Sequence, residues 1–331
     1  MQLIYSHGNF KLAISFFSYV QDEITQVENL ISSQAEGNDP DISAALHLLL
    51  ASGGKRIRPT ITLLIGKMLG VPNNKLVTVA ASIEMLHTAT LVHDDLIDGS
   101  LLRRGMPTLN SQWAPGATVL TGDFIFARAA NLAVDSESIR FMKVFAQTLT
   151  TIVNGEISQL FANHSITKRD DYYHRIYSKT ASLFETSATA AGIISLSNDK
   201  TIEDLRKYGY GIGMAFQIVD DILDFTGEQT TVGKPVGSDL RQGLITLPVI
   251  NYFEMYPDNP IVKKITANNY LNDEYTQQLV DAIRESPAIH RAFNEACRFI
   301  QDGLAGLDNL PGCQEKLALI ELANYIINRK L

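Results

Sequence analysis

The chain has 331 residues, of which 45% are hydrophobic and 19% are charged, so it can build an apolar core and is not a disordered protein. Its formal net charge of −8 argues against general nucleic-acid binding, which requires a basic surface. The two cysteines, Cys297 and Cys313, lack the spacing of a disulfide scaffold or a zinc finger and indicate a reducing compartment. No apolar stretch reaches the roughly 18–20 residues of a transmembrane segment. The first residues also lack the basic and apolar parts of an export signal, so we expect a cytoplasmic protein.

Helical periodicity dominates the sequence in chain order. An amphipathic pattern predicts a first helix over residues 8–35, and a second apolar stripe ends at Gly53-Gly54. Pro59 opens the next helix, and a long helix follows over about 75–98. The other predicted helices cover about 115–134, 136–164, 170–195, 201–226, 242–256, 274–285, 288–306 and 314–329.

Neither strands nor linkers are indicated between these helices. Alternating strand patterns are essentially absent, and no Gly/Ser-rich or Pro-rich linker divides the chain. The most conspicuous loop runs from Thr226 to Gly243. Length alone suggests about two domains, but the pattern predicts one all-α domain over residues 1–331, with its core from about residue 35.

Two acidic clusters lie in otherwise apolar helices. The helix over 75–98 ends in an acidic run in which Asp94 and Asp98 are one turn apart on one face, with His87 two turns earlier. Asp220 and Asp224 repeat this spacing in a later helix. Either cluster alone can be a solvated acidic face. Clustered carboxylates on apolar helices repel one another unless a cation lies between them, and Mg²⁺ is typically bound by one or two carboxylates together with substrate phosphates.

Basic residues supply the complementary charge. Lys55 and Arg58 lie beside a helix start, where side-chain charge and the helix dipole both favour phosphate. Further cations occur at Arg103-Arg104, Lys179-Thr180 and Gly233-Lys234. Each of these could be a surface salt-bridge partner, but together with the acidic clusters they indicate a diphosphate site. Glycines 209, 211 and 213 favour close helix packing over a dinucleotide site, because no strand precedes them. Phe216 is expected in the core.

The ordered motifs carry a family resemblance that covers nearly the whole chain. They are GGKRIRP at 53–59, HTATLVHDDLID at 87–98, LRRG at 102–105, the Lys179-Thr180 pair, GMAFQIVDDILD at 213–224 and GKPVGSD at 233–239. The chain resembles the trans-isoprenyl diphosphate synthases, the polyprenyl synthetase family of the class I isoprenoid synthase fold. The resemblance implies ten or more helices around a central cavity and a homodimer. It also implies a head-to-tail condensation of isopentenyl diphosphate with an allylic diphosphate.

The same resemblance implies roles for individual residues. Three Mg²⁺ ions are expected on Asp94, Asp98, Asp220 and Asp224, the last of these through water. The allylic diphosphate is expected at Arg103, Lys179, Gln217 and Lys234. Isopentenyl diphosphate is expected at Lys55, Arg58, His87 and Arg104. Lys179, Thr180 and Gln217 are expected beside the reacting carbon, and Phe216 is included among the substrate-binding residues.

Product length is expected to depend on the residues before the first Asp motif. In the family these residues line the tunnel for the growing chain, and here they are Ala89 and Thr90. Because both are small, we expect a product beyond C15 and beyond C20. Many relatives carry a Lys where this chain has Leu244, which puts the full phosphate clamp in doubt.

Four alternatives stay open at this point. The first is a synthase of shorter product, farnesyl or geranylgeranyl diphosphate. A terpene cyclase of the same fold would not need Lys55, Arg58, His87 and Arg104. A metal-dependent HD phosphohydrolase would explain neither GGKRIRP nor the second acidic cluster. The non-catalytic subunit of a heteromeric prenyl synthase typically has degraded Asp motifs, and both are intact here.

Overall fold

A computed structural model of the chain describes residues 15–37, 39–51, 53–161, 168–227, 236–268 and 273–329, and these are almost entirely helical. The α-helices are α1 Ser15–Ser18, α2 Gln21–Ser33, α3 Pro40–Ala51, α4 Ile57–Met68, α5 Asn73–Ile97, α6 Leu109–Gln112, α7 Pro115–Asp135, α8 Ile139–Phe161, α9 Arg169–Ile176, α10 Ser182–Ile194, α11 Asp199–Thr226, α12 Ser238–Arg241, α13 Leu247–Met255, α14 Pro260–Asn268, α15 Asp273–Glu285, α16 Ala288–Ala305 and α17 Gln314–Ile327. A π-helical turn, Tyr177–Ala181, joins α9 to α10, and two short antiparallel strands, β1 Leu102–Arg103 and β2 Met106–Pro107, follow α5.

Two long helices form the centre of the fold. α5 packs along α7 and against α4, while α11 packs along α16 and α10. α5 is apolar around most of its circumference and α11 is buried along most of its length, as expected of helices enclosed by others. α11 begins at Asn198, whose side-chain oxygen accepts a hydrogen bond from the Thr201 amide at 2.9 Å and caps the first turn. Both acidic clusters therefore lie near the C-terminal ends of rigid core helices.

The predicted fold class is confirmed, while several predicted boundaries need correction. The pattern over 8–35 is not one helix where it is described, because the chain breaks between α1 and α2. The helix predicted over 242–256 begins only at Leu247. The sequence pattern predicts neither α14 nor the β1–β2 hairpin. Two residues per strand are too few to show an alternating pattern.

The segment predicted as one helix over 170–195 contains the π-helical turn. Two glycines make room for this turn from opposite sides. A Cβ on Gly213 would lie 2.6 Å from Ala181 Cα, and a Cβ on Gly155 would lie 2.5 Å from Ser178 Cβ. Because π-turns widen a helix by one residue and are frequent at functional sites, this turn sets where Lys179 and Thr180 lie.

Two described helices have the length and hydropathy of a membrane span, namely α5 and α7. Two-thirds of the apolar window of α5 (67%) is buried inside the protein, which identifies it as a core helix. The corresponding share for α7 is 39%, so a large part of its apolar surface remains uncovered.

The glycines of α11 have the packing role that the sequence indicated. A Cβ on Gly211 would lie 2.4 Å from the carbonyl oxygen of Phe299 on α16, and one on Gly209 would lie 2.6 Å from that of Phe184 on α10. The neighbouring atoms are backbone and cannot rotate away.

We therefore predict that Gly211→Ala lowers the free energy of unfolding by about 1–3 kcal/mol, because the added methyl overpacks two core helices. Gly116→Ala is the matched control, since Gly116 lies in α7 with nothing within 4 Å of its Cβ position. Because Ala has a higher helix propensity than Gly, this change should leave the free energy of unfolding unchanged or raise it by up to about 1 kcal/mol. Denaturant unfolding measures both variants, and equal stabilities would contradict the packing role.

Candidate active site

The three aspartates of the first acidic cluster have different surroundings. Asp95 is buried and pairs with Arg103 on the hairpin, whose Nε lies 3.0 and 2.9 Å from the two carboxylate oxygens and whose Nη2 lies 2.8 Å from Oδ1. Asp94 is partly buried and Asp98 is exposed. The sequence did not single out Asp95, whose carboxylate fixes the predicted phosphate ligand Arg103 beside the cluster.

Asp94 lies in an unfavourable electrostatic position. Burial, together with the nearby charges of Glu156 and Asp98, raises its pKa to about 6, although Lys179 acts in the opposite direction. The Nζ of Lys179 is 3.7 Å from Asp94 Oδ2 and 2.9 Å from Glu156 Oε1. Glu156, on α8, is a member of the site that sequence reasoning missed. One ammonium shared between two carboxylates leaves negative charge that a further cation would stabilise.

A buried hydrogen-bonded chain links the π-turn to the second acidic cluster. Thr180 Oγ1 donates to Gln217 Oε1 at 2.7 Å, and Gln217 Nε2 donates to Asp221 Oδ1 at 2.8 Å. Tyr172 donates its hydroxyl to Asp221 Oδ2 at 2.7 Å. Burial raises the pKa of Asp221 to about 7, against the lowering effect of the bonds from Tyr172 and Gln217. The structure thus brings Thr180 and Gln217 together, confirms the Gln217–Asp221 pair that the helical spacing indicates, and adds Tyr172, which the sequence did not indicate.

Asp220 and Asp224 have different surroundings. Asp220 pairs with Arg329 at 2.8 Å, and burial raises its pKa although Arg329, Lys55 and Arg58 act in the opposite direction. Asp224 accepts hydrogen bonds from the backbone N–H groups of residues 238 and 239, both at 3.1 Å, at the start of α12. Arg329 was also missed, since nothing in its local sequence connects it to the acidic clusters.

A cavity of about 520 Å³ brings several of the predicted cations together, although Lys179 is not among the residues that line it. Its lining includes Lys55, Arg58, His87, Arg103 and Arg104, and it adds Glu84, Phe184, Phe216, Asp220 and Arg329. Phe216 is only partly buried, and its ring lies between Phe184, with centroids 5.1 Å apart, and the Arg329 guanidinium, 4.0 Å from the ring centroid. Phe216 thus packs against the core, as expected, and also forms part of the cavity wall.

Arg58 is an incompletely paired cation in this cavity. Its guanidinium lies over the Phe184 ring, 4.5 Å from the centroid, and its buried Nε has no hydrogen-bond partner. Burial lowers its pKa to about 10, with opposing effects from Glu84 and Asp220. A buried guanidinium N–H without an acceptor favours an anionic ligand that supplies one.

The loop that carries Lys55 and leads to Arg58 at the start of α4 is held by an ion-pair clamp. Arg56 has a left-handed backbone (φ +45°) and reaches Glu28 at 2.9 Å and the buried Glu84 at 3.0 Å. Arg104 donates to the carbonyl oxygen of Gly53 in the same loop. These contacts tie the loop to α2 through Glu28, to α5 through Glu84 and to the hairpin segment through Arg104.

The remaining predicted residues are placed as follows. Ala89 is fully buried in α5, and Thr90 is partly buried with its hydroxyl donating to His87 O at 2.8 Å. Leu244 is partly buried, and its amide donates to Asp239 O at 2.9 Å. Lys234 lies outside the described residues, so its predicted role stays a prediction.

The donor set fits magnesium held jointly with a phosphate ligand. Over the described residues, no three Asp, Glu, His or Cys side chains converge to hold a metal alone. Mg²⁺ is usually bound by one or two carboxylates while phosphates and water complete its octahedron. Asp94, with its incompletely balanced charge, the exposed Asp98 one turn away and the cavity-lining Asp220 suit that arrangement.

Comparisons with known proteins identify the family and the fold of the chain. A family model described as polyprenyl synthetase matches residues 39–285. The chain is 35% identical to heptaprenyl diphosphate synthase component 2 of Bacillus subtilis (strain 168), over 97% of this chain and 91% of that protein. It is also 35% identical to octaprenyl diphosphate synthase of Escherichia coli (strain K12), over 86% of this chain and 88% of that one.

A solved structure shares both the fold and its extent. The polyprenyl synthase from Caulobacter crescentus CB15, complexed with calcium and isoprenyl diphosphate, superposes with a TM-score of 0.87 and 30% identity, covering 99% of this chain and 100% of that one. The chain therefore belongs to the polyprenyl synthetase family and is a trans-prenyltransferase, which confirms the family, fold and enzyme class indicated by the motifs.

His87 gives the site a predicted pH dependence. Burial lowers its pKa well below 6.5, and the charges of Arg58, Arg103, Arg104 and Arg56 lower it further. Below pH 6.5 the unfolded chain therefore takes up a proton that the folded protein does not, and stability falls as the pH falls, by up to about 1.4 kcal/mol per pH unit.

We predict that His87→Gln weakens this loss of stability between pH 6.5 and 5, as measured by denaturant unfolding at several pH values. His290→Gln, which alters an exposed histidine in α16, is the control and should retain the wild-type slope. If both variants follow the wild-type curve, His87 is not neutral in the folded protein.

Proposed function

We propose that the chain condenses isopentenyl diphosphate with an allylic diphosphate, in trans and head to tail, to give a polyprenyl diphosphate longer than C20. The observation that carries this proposal is the cavity in which Lys55, Arg58, Arg104 and Arg329 face the carboxylate of Asp220. A protein with a net charge of −8 has concentrated cations in one cavity, as a diphosphate site requires.

The basic part of the cavity would bind isopentenyl diphosphate. Lys55, Arg58, His87 and Arg104 line it together. The partnerless Nε of Arg58 supplies a ready donor for a phosphate oxygen. His87, neutral because burial and its cationic neighbours lower its pKa, can donate or accept a hydrogen bond without adding charge.

The two acidic clusters would bind the allylic diphosphate. Asp94, Asp98 and Asp220, with Asp224 through water, would hold Mg²⁺, three ions in all, which neutralise the charge that develops on the leaving diphosphate. Arg103, Lys179 and Lys234 would contact the same diphosphate directly. Asp95 keeps Arg103 in place, and Glu156 does the same for Lys179.

The reaction needs no nucleophile from the protein. The C1–O bond of the allylic substrate breaks, and its electron pair leaves with the diphosphate. The oxygens of Thr180 and Gln217 then stabilise the allylic cation as fixed dipoles. The terminal alkene of isopentenyl diphosphate forms the new bond to C1, and the departing diphosphate accepts the proton that is lost. Holding both substrates in this orientation lowers the entropic part of the barrier.

A long product is supported by the relatives and by the wall of α5. The relatives described above are synthases of heptaprenyl and octaprenyl diphosphate by name. Ala89 is small and fully buried, so it offers no bulky stop beside the acidic cluster. Farnesyl or geranylgeranyl diphosphate as the final product is the alternative that the assay below distinguishes.

A homodimer is proposed from the uncovered apolar side chains of α7 and α8. Val119, Leu120 and Val134 on α7 and Val153 and Ile157 on α8 are all at least 40% exposed. The Bacillus subtilis relative is named as a component, so a heteromeric assembly is the competing outcome.

Two free cysteines, which form no disulfide, agree with the expected cytoplasmic location.

The test is an elongation assay on the purified chain alone. The protein is incubated with Mg²⁺, isopentenyl diphosphate and farnesyl or geranylgeranyl diphosphate, and the products are identified by mass spectrometry. We expect products beyond C20. Asp94→Ala should abolish them, whereas Asp123→Ala, at an exposed aspartate on α7, should not. No elongation with any allylic primer would overturn the proposal, and activity only after adding a second subunit would replace the homodimer by a heteromer.

We predict that Arg58→Met raises the KM for isopentenyl diphosphate about 10–100-fold and leaves the KM for the allylic substrate nearly unchanged, because a charged hydrogen bond is lost. Arg128→Met is the matched control. Arg128 also has a buried Nε without a partner, but it bonds Gln34 at 2.6 Å and lies outside the cavity. Steady-state kinetics with each substrate varied in turn measures the effect, and a matching shift in both variants would contradict it.

We predict that Ala89→Phe shortens the product while condensation continues, because the ring blocks the path of the growing chain. Ala80→Phe is the control, since Ala80 is equally buried in α5 but about two and a half turns earlier, on the opposite face. Mass spectrometry of the products gives the chain length. An unchanged product distribution in Ala89→Phe would show that Ala89 does not line the tunnel.

A further inference from the structure

Two buried side chains behind the second acidic cluster have no part in the mechanism above. Tyr172 on α9 is 0% exposed and Asp221 on α11 is 3% exposed. The Tyr172 hydroxyl donates to Asp221 Oδ2, and Gln217 Nε2 donates to Oδ1. Both oxygens of this carboxylate therefore accept hydrogen bonds from protein, whereas the adjacent Asp220 faces the cavity.

The bond to Asp221 decides which end of the Gln217 amide faces the site. The ionised carboxylate of Asp221 only accepts hydrogen bonds, so the atom of Gln217 beside it is the N–H group. The amide oxygen then points the opposite way, where the Thr180 hydroxyl donates to it at 2.7 Å. If the amide flipped, its oxygen would face the carboxylate and its N–H groups would face Thr180.

That orientation matters because an amide is a dipole. A carbonyl oxygen stabilises a cation nearby, while an N–H group in the same place destabilises it. On the proposed function, Gln217 and Thr180 lie beside the allylic cation, so a flipped amide would raise the barrier to ionisation without changing how the two diphosphates are bound.

Tyr172 anchors the carboxylate from a different helix. With Gln217 as its only partner, the Asp221 carboxylate could rotate away from the amide. The Gln217 amide would then be free to flip. The Tyr172 ring is itself held by the Arg175 guanidinium, 5.5 Å from its centroid, and Arg175 also bonds Ile245 O at 2.7 Å. Since α9 leads directly into the π-turn, one rigid segment carries both the anchor Tyr172 and the final hydroxyl, Thr180.

We propose that Tyr172 is a positioning residue that acts through Asp221 to hold the Gln217 amide with its oxygen toward the reacting carbon. The inference rests on the proposed function for the location of that carbon. The competing explanation is a purely structural hydrogen bond, which would affect stability and not the chemical step.

The first test compares two buried tyrosines. Tyr172→Phe should lower kcat at least tenfold, with both KM values and the Mg²⁺ concentration for half-maximal activity changed less than threefold. Tyr208→Phe is the matched control, because Tyr208 is also 0% exposed and donates a single hydrogen bond, to Leu319 O at 2.9 Å. Both variants should lose similar thermal stability, but Tyr208→Phe should keep the wild-type kcat. Equal kcat values in the two variants would overturn the proposal.

The second test is a double-mutant cycle with Gln217→Ala. If Tyr172 acts through the amide, adding Tyr172→Phe to Gln217→Ala should lower kcat no further. Multiplying effects would overturn the proposal. Asp221→Asn offers an independent variant should Tyr172→Phe fold poorly, since a carboxamide accepts the Gln217 amide in either orientation, and it should likewise lower kcat at least tenfold without changing KM. If the wild-type protein elongates no primer, the proposed function itself is refuted. This outcome differs from failure of the inference, in which the wild type is active and Tyr172→Phe keeps its kcat.

Discussion

Charge buried in an apolar helix bundle is the constraint on which the site depends. Burial raises the pKa of Asp94 to about 6 and lowers that of Arg58 to about 10, so groups of both signs pay a desolvation cost in the same protein. Such groups persist only where the surrounding helices hold them rigidly and a ligand can balance them. A metal-bound diphosphate would supply that balance, because its cation would lie beside the carboxylates and its oxygens beside the guanidinium groups. The two long core helices provide the rigidity, and on the proposed function the substrates would complete the site.

On the proposed function, the ion pairs of the site separate residues that would bind substrate from residues that hold them in place. Arg103 is fixed by Asp95, Lys179 by Glu156, and the loop before α4 by the pairing of Arg56 with Glu84. Each pair leaves the binding cation on a defined element while lowering its side-chain freedom. Pre-organisation of this kind reduces the cost of ordering the site when two highly charged substrates arrive.

Sequence reasoning could predict the fold class and the residues whose type carries their chemistry. The long helices follow from sustained apolar periodicity, and Asp94, Asp220, Lys55 and Arg58 follow from motifs that contain their own spacing. Residues that act through others gave no such signal. Glu156 has the composition of an ordinary helix surface, Arg329 reaches Asp220 only through the packing of α17, and Tyr172 meets Asp221 only because α9 lies against α11. The extent of the chain tunnel is likewise a property of tertiary packing, which a single stretch of sequence does not determine.

The π-turn at 177–181 has a consequence for how this site can change. A π-turn is an α-helix with one residue too many, so deleting a single residue there would restore a regular helix with better backbone hydrogen bonding. Because the wider turn takes up its extra residue locally, the same deletion would change the directions in which the side chains within the turn point. Locally, the chain would become more regular, yet Lys179 and Thr180 would no longer face α5 and α11. Regular backbone hydrogen bonding thus favours the shorter segment, whereas the placement of Lys179 and Thr180 requires the longer one. The irregular form is the one that keeps these side chains beside the acidic clusters.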